Sequence, residues 1–498
     1  MSAVEVIVIG FVGRSYPQIR QIPQIKLRTL VSTNRWRTNS SFRLKKKKRW
    51  SLRNLWMASQ IRCFLMIESP ALSNQILMQK VTYLCLLAVA LSACALNAQP
   101  APPWPSSTSA PAFPEALGVN IHFTDPDPGE VKMLAAAGFR WVRMDFVWQR
   151  TETEKGKYDF SSYDRLLKAL DEYNIRPLFI LDYANTLYDN GRAPFTSAGR
   201  RAFASWAAAA VLRYRGRGIL WEIYNVPNTG FWTPAPKVSD YIALALETGK
   251  AIHSVAPAEQ IIGPAVWGMD LDFVEECLRA GLLNYWSAIS VHPYRKAEPE
   301  TVVEDYARLR QLIEKYAPGK RVPIISSEWG YSAASFNVGE AKQSALLARQ
   351  LLINQSQGIS LSIWYDWQDD GSDPAQIEHH FGTVRQPYYN NREPVYDPKP
   401  SYNAIKTLTA VLKGLQFGER LTTATPDDYV LVFRANGETC IAAWTTSWFD
   451  RTVAIPVRDG TYRIISHTGE AVARRDSAQS KLVLNLTNAP QYVVLERP

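Results

Sequence analysis

The sequence predicts an α/β chain: a (β/α)8 TIM barrel followed by a small antiparallel β-sandwich. Three observations carry this. Between Leu117 and Gly414, apolar runs of strand length alternate with amphipathic helical stretches, the pattern of βα units around a parallel sheet. Eight such runs fit into about 300 residues, the size of a closed barrel. Beyond Gly414 the helical periodicity stops, and short β-rich runs between turn residues take over. An open doubly wound sheet is disfavoured, because no Gly-x-Gly-x-x-Gly follows the first run.

Taken from the N-terminus, residues 1–77 hold 14 Lys and Arg against 2 Asp and Glu, including the run Lys45-Lys46-Lys47-Lys48-Arg49. They carry no sustained hydrophobic period and read as a disordered basic leader, either the product of an upstream start or a functional basic tail. The chain's net charge of +10 originates there, since this prefix carries +12 and the remainder −2. A nucleic-acid partner therefore loses its main support. Residues 78–95 read as a secretory signal: Lys80 precedes the apolar stretch Val81 to Leu91, and small residues follow. The stretch is short for a membrane span. Leu91-Ser92-Ala93-Cys94 resembles a bacterial lipobox, which would make Cys94 a lipid anchor and the only contact with membrane. Cleavage after Ala95 is the other reading. Both place the protein outside the cytoplasm, as a secreted, periplasmic or cell-envelope protein. Residues 96–114, rich in Pro and Ser, read as a linker. Of the five cysteines only Cys277 and Cys440 lie beyond it, with spacing that suggests neither a metal site nor a disulfide framework.

The barrel is expected over 115–414, with strands at Leu117–Phe123, Trp141–Trp148, Arg176–Tyr183, Ile219–Asn225, Gln260–Trp267, Ala288–Tyr294, Val322–Trp329 and Ser360–Trp367. Cover helices are legible between them: Val302, Val303, Tyr306, Leu309, Ile313 and Tyr316 recur at three- and four-residue spacing. The sandwich is expected over 415–498, from six runs: Tyr429–Arg434, Cys440–Thr446, Thr452–Val457, Tyr462–Ser466, Lys481–Leu486 and Tyr492–Leu495. Within it, Trp444 and Trp448 read as packing residues or as a sugar-binding surface.

Two strand tails carry the chemistry. One is Leu220-Trp221-Glu222-Ile223-Tyr224-Asn225-Val226-Pro227-Asn228, and the other is Val322-Pro323-Ile324-Ile325-Ser326-Ser327-Glu328-Trp329-Gly330-Tyr331. Barrel active sites form at the C-terminal ends of strands, so an apolar run that ends in polar residues delivers them to a cleft. Retaining glycoside hydrolysis needs two carboxyl groups about 5–5.5 Å apart, a nucleophile and a proton donor that later acts as base. Glu328 is the candidate nucleophile.

The segment from Leu117 to about Gly414 resembles the clan-A glycoside hydrolases, chiefly the cellulase-like family 5 and the β-xylosidase-like family 39. In that pattern the fourth strand ends Asn-Glu-Pro and supplies the acid/base, and the seventh ends in the nucleophilic Glu. The resemblance implies that Asn225 binds the sugar 2-hydroxyl and that Arg143, in Trp141-Val142-Arg143-Met144, holds the nucleophile ionised. It further implies that His292 and Tyr294, in Val291-His292-Pro293-Tyr294, flank that nucleophile, and that Trp364 or Trp367 floors the sugar site. His122 and Trp148 complete the expected substrate-binding set. Trp148, Trp267 and Trp286 also read as core residues, and His122 and His292 as satisfied polar groups of a barrel mouth.

The departure lies at Val226, where the pattern has its acid/base Glu. Valine transfers no proton, and general acid–base help is worth about 10²–10⁴-fold in rate. Glu222 points the same way but lies roughly 13 Å down the strand. Asp366, Asp369, Asp370 and Glu378, near the end of the eighth strand, are better placed for recruitment. Three readings remain: a retaining glycosidase with a relocated acid or a single-residue variant, a carbohydrate-binding pseudo-glycosidase, and a structural envelope protein. The expected partner is a carbohydrate. No metal or organic cofactor is needed for this chemistry, and the six His residues show no ligand spacing.

Overall fold

The computed structural model describes residues 111–335 and 338–496. The basic leader, the signal with Cys94 and most of the linker lie outside the described residues. Eight strands form a closed barrel: β1 (Leu117–Asn120), β2 (Trp141–Val147), β3 (Arg176–Asp182), β4 (Leu220–Ile223), β5 (Gln260–Trp267), β6 (Trp286–His292), β7 (Ile324–Trp329) and β8 (Leu361–Trp364). Each pairs in parallel with the next, and β8 closes on β1 through Gly118 opposite Ile363. Gly118 is required there, because a Cβ would come within 2.3 Å of the Ile363 side chain.

Helices α1 (Glu130–Ala137), α2 (Trp148–Thr151), α3 (Ser161–Asp171), α4 (Ser197–Arg213), α5 (Val238–Val255), α6 (Leu271–Arg279), α7 (Val302–Tyr316), α8 (Gly339–Ser356) and α9 (Pro400–Val411) accompany the barrel. The stripe expected on α7 is real: Val302, Tyr306, Leu309 and Ile313 are its buried residues. None of the helices among the described residues is long and apolar enough to cross a membrane. A hairpin absent from the expectation, β9 (Val384–Tyr388) with β10 (Tyr396–Pro398), follows β8.

Side-chain alternation fills the barrel interior with Trp141, Leu178, Ile180, Leu220, Ile262, Ala288, Ile325, Leu361 and Ile363. Above this apolar plug the inward positions turn polar. Two residues after Trp141 comes Arg143, two after Leu220 comes Glu222, and Ser326 is followed at the same spacing by Glu328. The plug is therefore the floor of a polar mouth.

The C-terminal region pairs a six-stranded antiparallel sheet, in the order β11-β12-β13-β18-β15-β16, with a two-stranded sheet of β14 and β17. The six expected runs correspond to β12 (Asp428–Ala435), β13 (Glu438–Thr445), β14 (Arg451–Pro456), β15 (Thr461–Ser466), β17 (Lys481–Leu486) and β18 (Gln491–Leu495). Two further strands, β11 (Gln416–Arg420) and β16 (Ala471–Asp476), are edge strands with mostly exposed side chains, so they lack the apolar alternation that marks the others. On β17, Leu482, Leu484 and Leu486 turn into the core between exposed neighbours. A buried carboxylate ties the sheets to the barrel. Glu300 accepts hydrogen bonds from Arg349 Nε (2.7 Å) and Nη2 (2.6 Å) and from Trp444 Nε1 (2.7 Å). Trp444 is accordingly a packing residue, stacked on Tyr429 at 5.0 Å, whereas Trp448 is 98% exposed.

Candidate active site

One guanidinium organises the mouth. Arg143, fully buried on β2, donates from Nε to Glu222 Oε2 (2.8 Å), from Nη1 to Asn120 Oδ1 (3.1 Å) and to Glu328 Oε2 (2.6 Å), and from Nη2 to Asn225 Oδ1 (2.7 Å). Strands β1, β2 and β7 and the tail of β4 thus converge on one side chain, and Asn225 and Glu328 are brought together across it. The second oxygen of Glu328, Oε1, accepts the Tyr294 hydroxyl at 3.0 Å. His292 Nε2 lies 3.3 Å from Arg143 Nη2, and its Nδ1 lies 3.9 Å from Glu328 Oε2. Gly330 allows the close approach of the segment after β8, since a Cβ there would fall 1.9 Å from the Tyr365 carbonyl oxygen.

Burial and charge set the protonation states. Burial raises the Glu328 carboxyl above its usual value, and Arg143 and the Tyr294 hydrogen bond pull it back only in part. The pull toward ionisation expected from Arg143 and Tyr294 is present, and loss of solvent works against it. His292 is held well below the usual imidazole range by burial and then by Arg143, so it is neutral and its Nε2 faces the guanidinium as acceptor. Arg143 keeps its charge, because Glu222 and Glu328 offset the cost of burial. Tyr294 is pushed up by burial and by the Glu328 charge, and remains a donor.

The β4 side differs. Val226 is 5% exposed, donates its backbone N–H to the Ala265 carbonyl at 3.0 Å, and sits at a φ of 41°. A β-branched residue in the left-handed region is an outlier that costs on the order of 1–3 kcal/mol. Asn225 is anchored at both ends, since its Nδ2 donates to the Tyr183 hydroxyl at 2.7 Å. Glu222 is fully buried and is Arg143's partner below the site, out of reach of a substrate.

Three expected substrate-binding tryptophans are placed elsewhere. Trp148 is fully buried on α2, stacked on Tyr188 at 5.0 Å and packed on Phe203 and Trp206. Trp364 is fully buried and donates to the Phe381 carbonyl, and Trp367 is 1% exposed and donates to Glu130 Oε1 at 3.0 Å. The physical reason is parity. Trp141, Arg143, Leu361 and Ile363 point into the barrel, so Trp148 and Trp364 fall on the outward, helix-facing set. Aromatic surface reaches solvent through other residues, which the sequence reading did not single out for binding. Tyr365 is half-buried with its ring 5.7 Å from that of His122, Phe231 is 58% exposed and 5.6 Å from Tyr183, and Trp267 is 52% exposed. Trp286, by contrast, is a core residue at 4% exposure.

The acids near the end of β8 are mostly engaged. Asp369 is bonded to Lys399 at 2.8 Å, and Glu378 lies exposed on a short turn. Asp366, 1% exposed, lies 3.3 Å from His122 Nε2. The His122 side chain is 43% exposed, and the cost of its partial burial is outweighed by the carboxylate of Asp366, with Asp145 and Asp370 adding, which brings its imidazole up to about 9. Burial pushes Asp366 up to about 7, partly opposed by His122. His122, Asp366 and Asp370 offer three ligand atoms within 4.8 Å of one another, so a cation would have to displace the proton that binds imidazole to carboxylate.

No family model matches the chain. A β-xylosidase of Geobacillus stearothermophilus is 26% identical over 342 residues, spanning 58% of this chain and 66% of that protein, so the chain matches just under two thirds of its relative's length. Among solved structures, a family 39 glycoside hydrolase from the gut symbiont Bacteroides cellulosilyticus WH2 superposes with a TM-score of 0.67 at 28% identity, over 77% of this chain and 81% of that one. A family 39 β-xylosidase from Caulobacter crescentus shares the fold, with a TM-score of 0.58 at 20% identity over 78% and 98% of the two chains. Structural neighbours of this barrel thus include family 39 glycoside hydrolases, and a β-xylosidase is among its relatives in sequence.

Proposed function

We propose that the protein is a retaining glycoside hydrolase, with Glu328 as nucleophile and with no acid/base supplied from position 226. The observation that carries this reading is the clamped Glu328 carboxylate: Arg143 on one oxygen, Tyr294 on the other, in the mouth of a closed barrel. Glu328 attacks the anomeric carbon, and the leaving oxygen departs from the opposite face. Arg143 and Tyr294 fix the trajectory of attack and stabilise the carboxylate when it is released in the second step. Neutral His292 supports Arg143 without adding a competing charge. Asn225, held by Arg143 and Tyr183, is oriented for the 2-hydroxyl, where a hydrogen bond strengthens as the oxocarbenium-like transition state forms. The missing proton donor costs about 3–5 kcal/mol of barrier for leaving groups that need protonation.

A β-xyloside is the first glycone to test, because the relative in sequence is named a β-xylosidase. The signal-like segment at 78–95 supports action outside the cytoplasm. A second reading, carbohydrate binding without turnover, is favoured by Val226 alone. The two separate cleanly in one experiment. A panel of activated 2-deoxy-2-fluoroglycosides should leave a covalent adduct on the peptide containing Glu328, and none on Glu328→Gln. An adduct on another residue overturns the assignment, and oligosaccharide binding by calorimetry with no adduct or sugar release establishes the binder.

A further inference from the structure

We infer that the natural substrates of this site are glycosides of phenols, with the aromatic aglycone held between Trp267 and Phe231. This rests on the retaining hydrolase reading above and adds the identity of the leaving group. The two halves of the mouth differ in chemistry. Around Glu328 the groups that reach solvent are its own carboxyl, Tyr294 and His122, which suit the hydroxyls of a sugar ring, with the buried Arg143 and His292 behind them. Near Val226 the exposed large side chains are aromatic, Trp267 and Phe231. Asn228 pins Trp267 there by accepting its backbone N–H at 2.9 Å and donating to its carbonyl at 3.1 Å. Asn228 also donates to Asp270 at 3.1 Å, and Asp270 caps α6, so the loop carrying Val226 is fastened to a helix end. On the other flank the Phe231 ring packs 5.6 Å from Tyr183, whose hydroxyl receives the Asn225 amide. Trp267 and Phe231 remain 52% and 58% exposed, although neither has a structural need for solvent. Two exposed aromatic side chains, on segments hydrogen-bonded to the turn that carries Val226, fit a planar, apolar group.

Proton accounting points the same way. Apart from Glu328 itself and Asp369, which is tied to Lys399, the carboxyl groups near the mouth whose proton affinity is raised, Asp182 and Asp366, are 0% and 1% exposed and belong to the end of β3 and to the segment after β8. The β4 tail contributes an amide, a valine and a proline. An alcohol or a second sugar leaves poorly from such a site, because its oxygen must be protonated as the bond breaks. A phenol, with a pKa of about 10, leaves as its anion far more readily than an aliphatic alcohol, which lies nearer water at about 15.7. In the first step a Glu328 oxygen forms a bond to C1, the C1–O bond to the aglycone breaks, and the phenoxide keeps the electron pair and takes a proton from water. In the second step water adds to C1, the ester bond breaks, Glu328 recovers its electron pair, and the proton of water passes to solvent. The sums balance with water as the only co-reactant.

The test uses 4-methylphenyl β-xyloside, xylobiose and β-xylosyl fluoride on the full chain, after the 2-fluoroglycoside panel has identified a glycone that labels Glu328; another glycone replaces xylose if the panel selects it. The expected kcat/KM for the 4-methylphenyl glycoside exceeds that for the disaccharide by at least about 100-fold, in line with the worth of the missing acid. Trp267→Ala and Phe231→Ala should each raise KM for the 4-methylphenyl glycoside by at least about five-fold more than for the glycosyl fluoride, which has no ring to stack. Both residues are solvent-facing, so the variants retain the fold. Disaccharide cleaved as fast as the phenolic glycoside, or variants that affect both substrates equally, overturns the inference while leaving the nucleophile in place. Failure to label Glu328 with any glycone overturns the underlying reading instead.

Discussion

On the β7 side of the mouth every oxygen of Glu328 has a donor, and the donor Arg143 is itself held by Glu222, Asn120 and Asn225. On the β4 side, three residues beyond the end of the strand, Val226 has a backbone hydrogen bond, a strained φ and no polar side-chain atom. The difference separates two requirements that are usually met together. Holding a nucleophile takes a network spread over four strands, and losing one member would disturb the fold. Supplying a proton takes one side chain on a loop, and its replacement leaves the network intact. On the proposed mechanism, the barrel keeps the architecture that holds the nucleophile without a carboxyl group at position 226.

The comparison breaks most severely at its hub. Arg143→Met should strip Glu222 and Glu328 of their counter-charge, costing about 3–5 kcal/mol of stability, measured by urea denaturation, together with all glycosidase activity. A stability change below about 1 kcal/mol would mean that the carboxylates find other partners. Val226→Glu sharpens the contrast from the other side. It should raise turnover of a disaccharide by about 10²–10⁴-fold while changing an activated aryl glycoside far less, measured as sugar release under matched conditions.

The pair beyond β8 gives a pH signature. The Asp366 carboxyl rises from its usual 3.8 to about 7 and the His122 imidazole from 6.5 to about 9, so the folded state binds more protons than the unfolded chain across this range. The stability this pair contributes is full below pH 3.8, declines as pH rises through 7, and is lost once pH passes 9. Thermal melts of the His122→Gln/Asp366→Asn double variant should show a flatter decline from pH 4 to 9 than those of the natural chain. The smallest effect is expected at Trp367→Phe, which removes one buried hydrogen bond to Glu130 and should cost about 1–3 kcal/mol of stability with KM unchanged. A raised KM would return Trp367 to the cleft.

The barrel strands were legible because apolar runs of strand length alternate with helical stretches; the polar strand tails pointed to Asn225 and Glu328, whereas Arg143, His292 and Tyr294 came from the resemblance to clan-A glycoside hydrolases. The sandwich was legible where strands alternate, as β17 does, and illegible at the edge strands β11 and β16. The tryptophans misled because composition marks an aromatic residue without saying which face of a strand it occupies. Counting by twos from Trp141 or Leu361 places Trp148 and Trp364 outward and would have favoured Tyr365. No local pattern foretells that Trp267, the last residue of an apolar run, stays open to solvent, since its exposure follows from the Asn228 loop that holds its backbone.

The dependence of rate on leaving-group acidity addresses the divided mouth most directly. For a series of aryl and alkyl glycosides of one sugar, kcat/KM of the natural chain should fall steeply as the leaving-group pKa rises, and the slope should flatten in Val226→Glu. A shallow slope in the natural chain, unchanged by that substitution, would show that a proton donor already serves the site and would contradict the account.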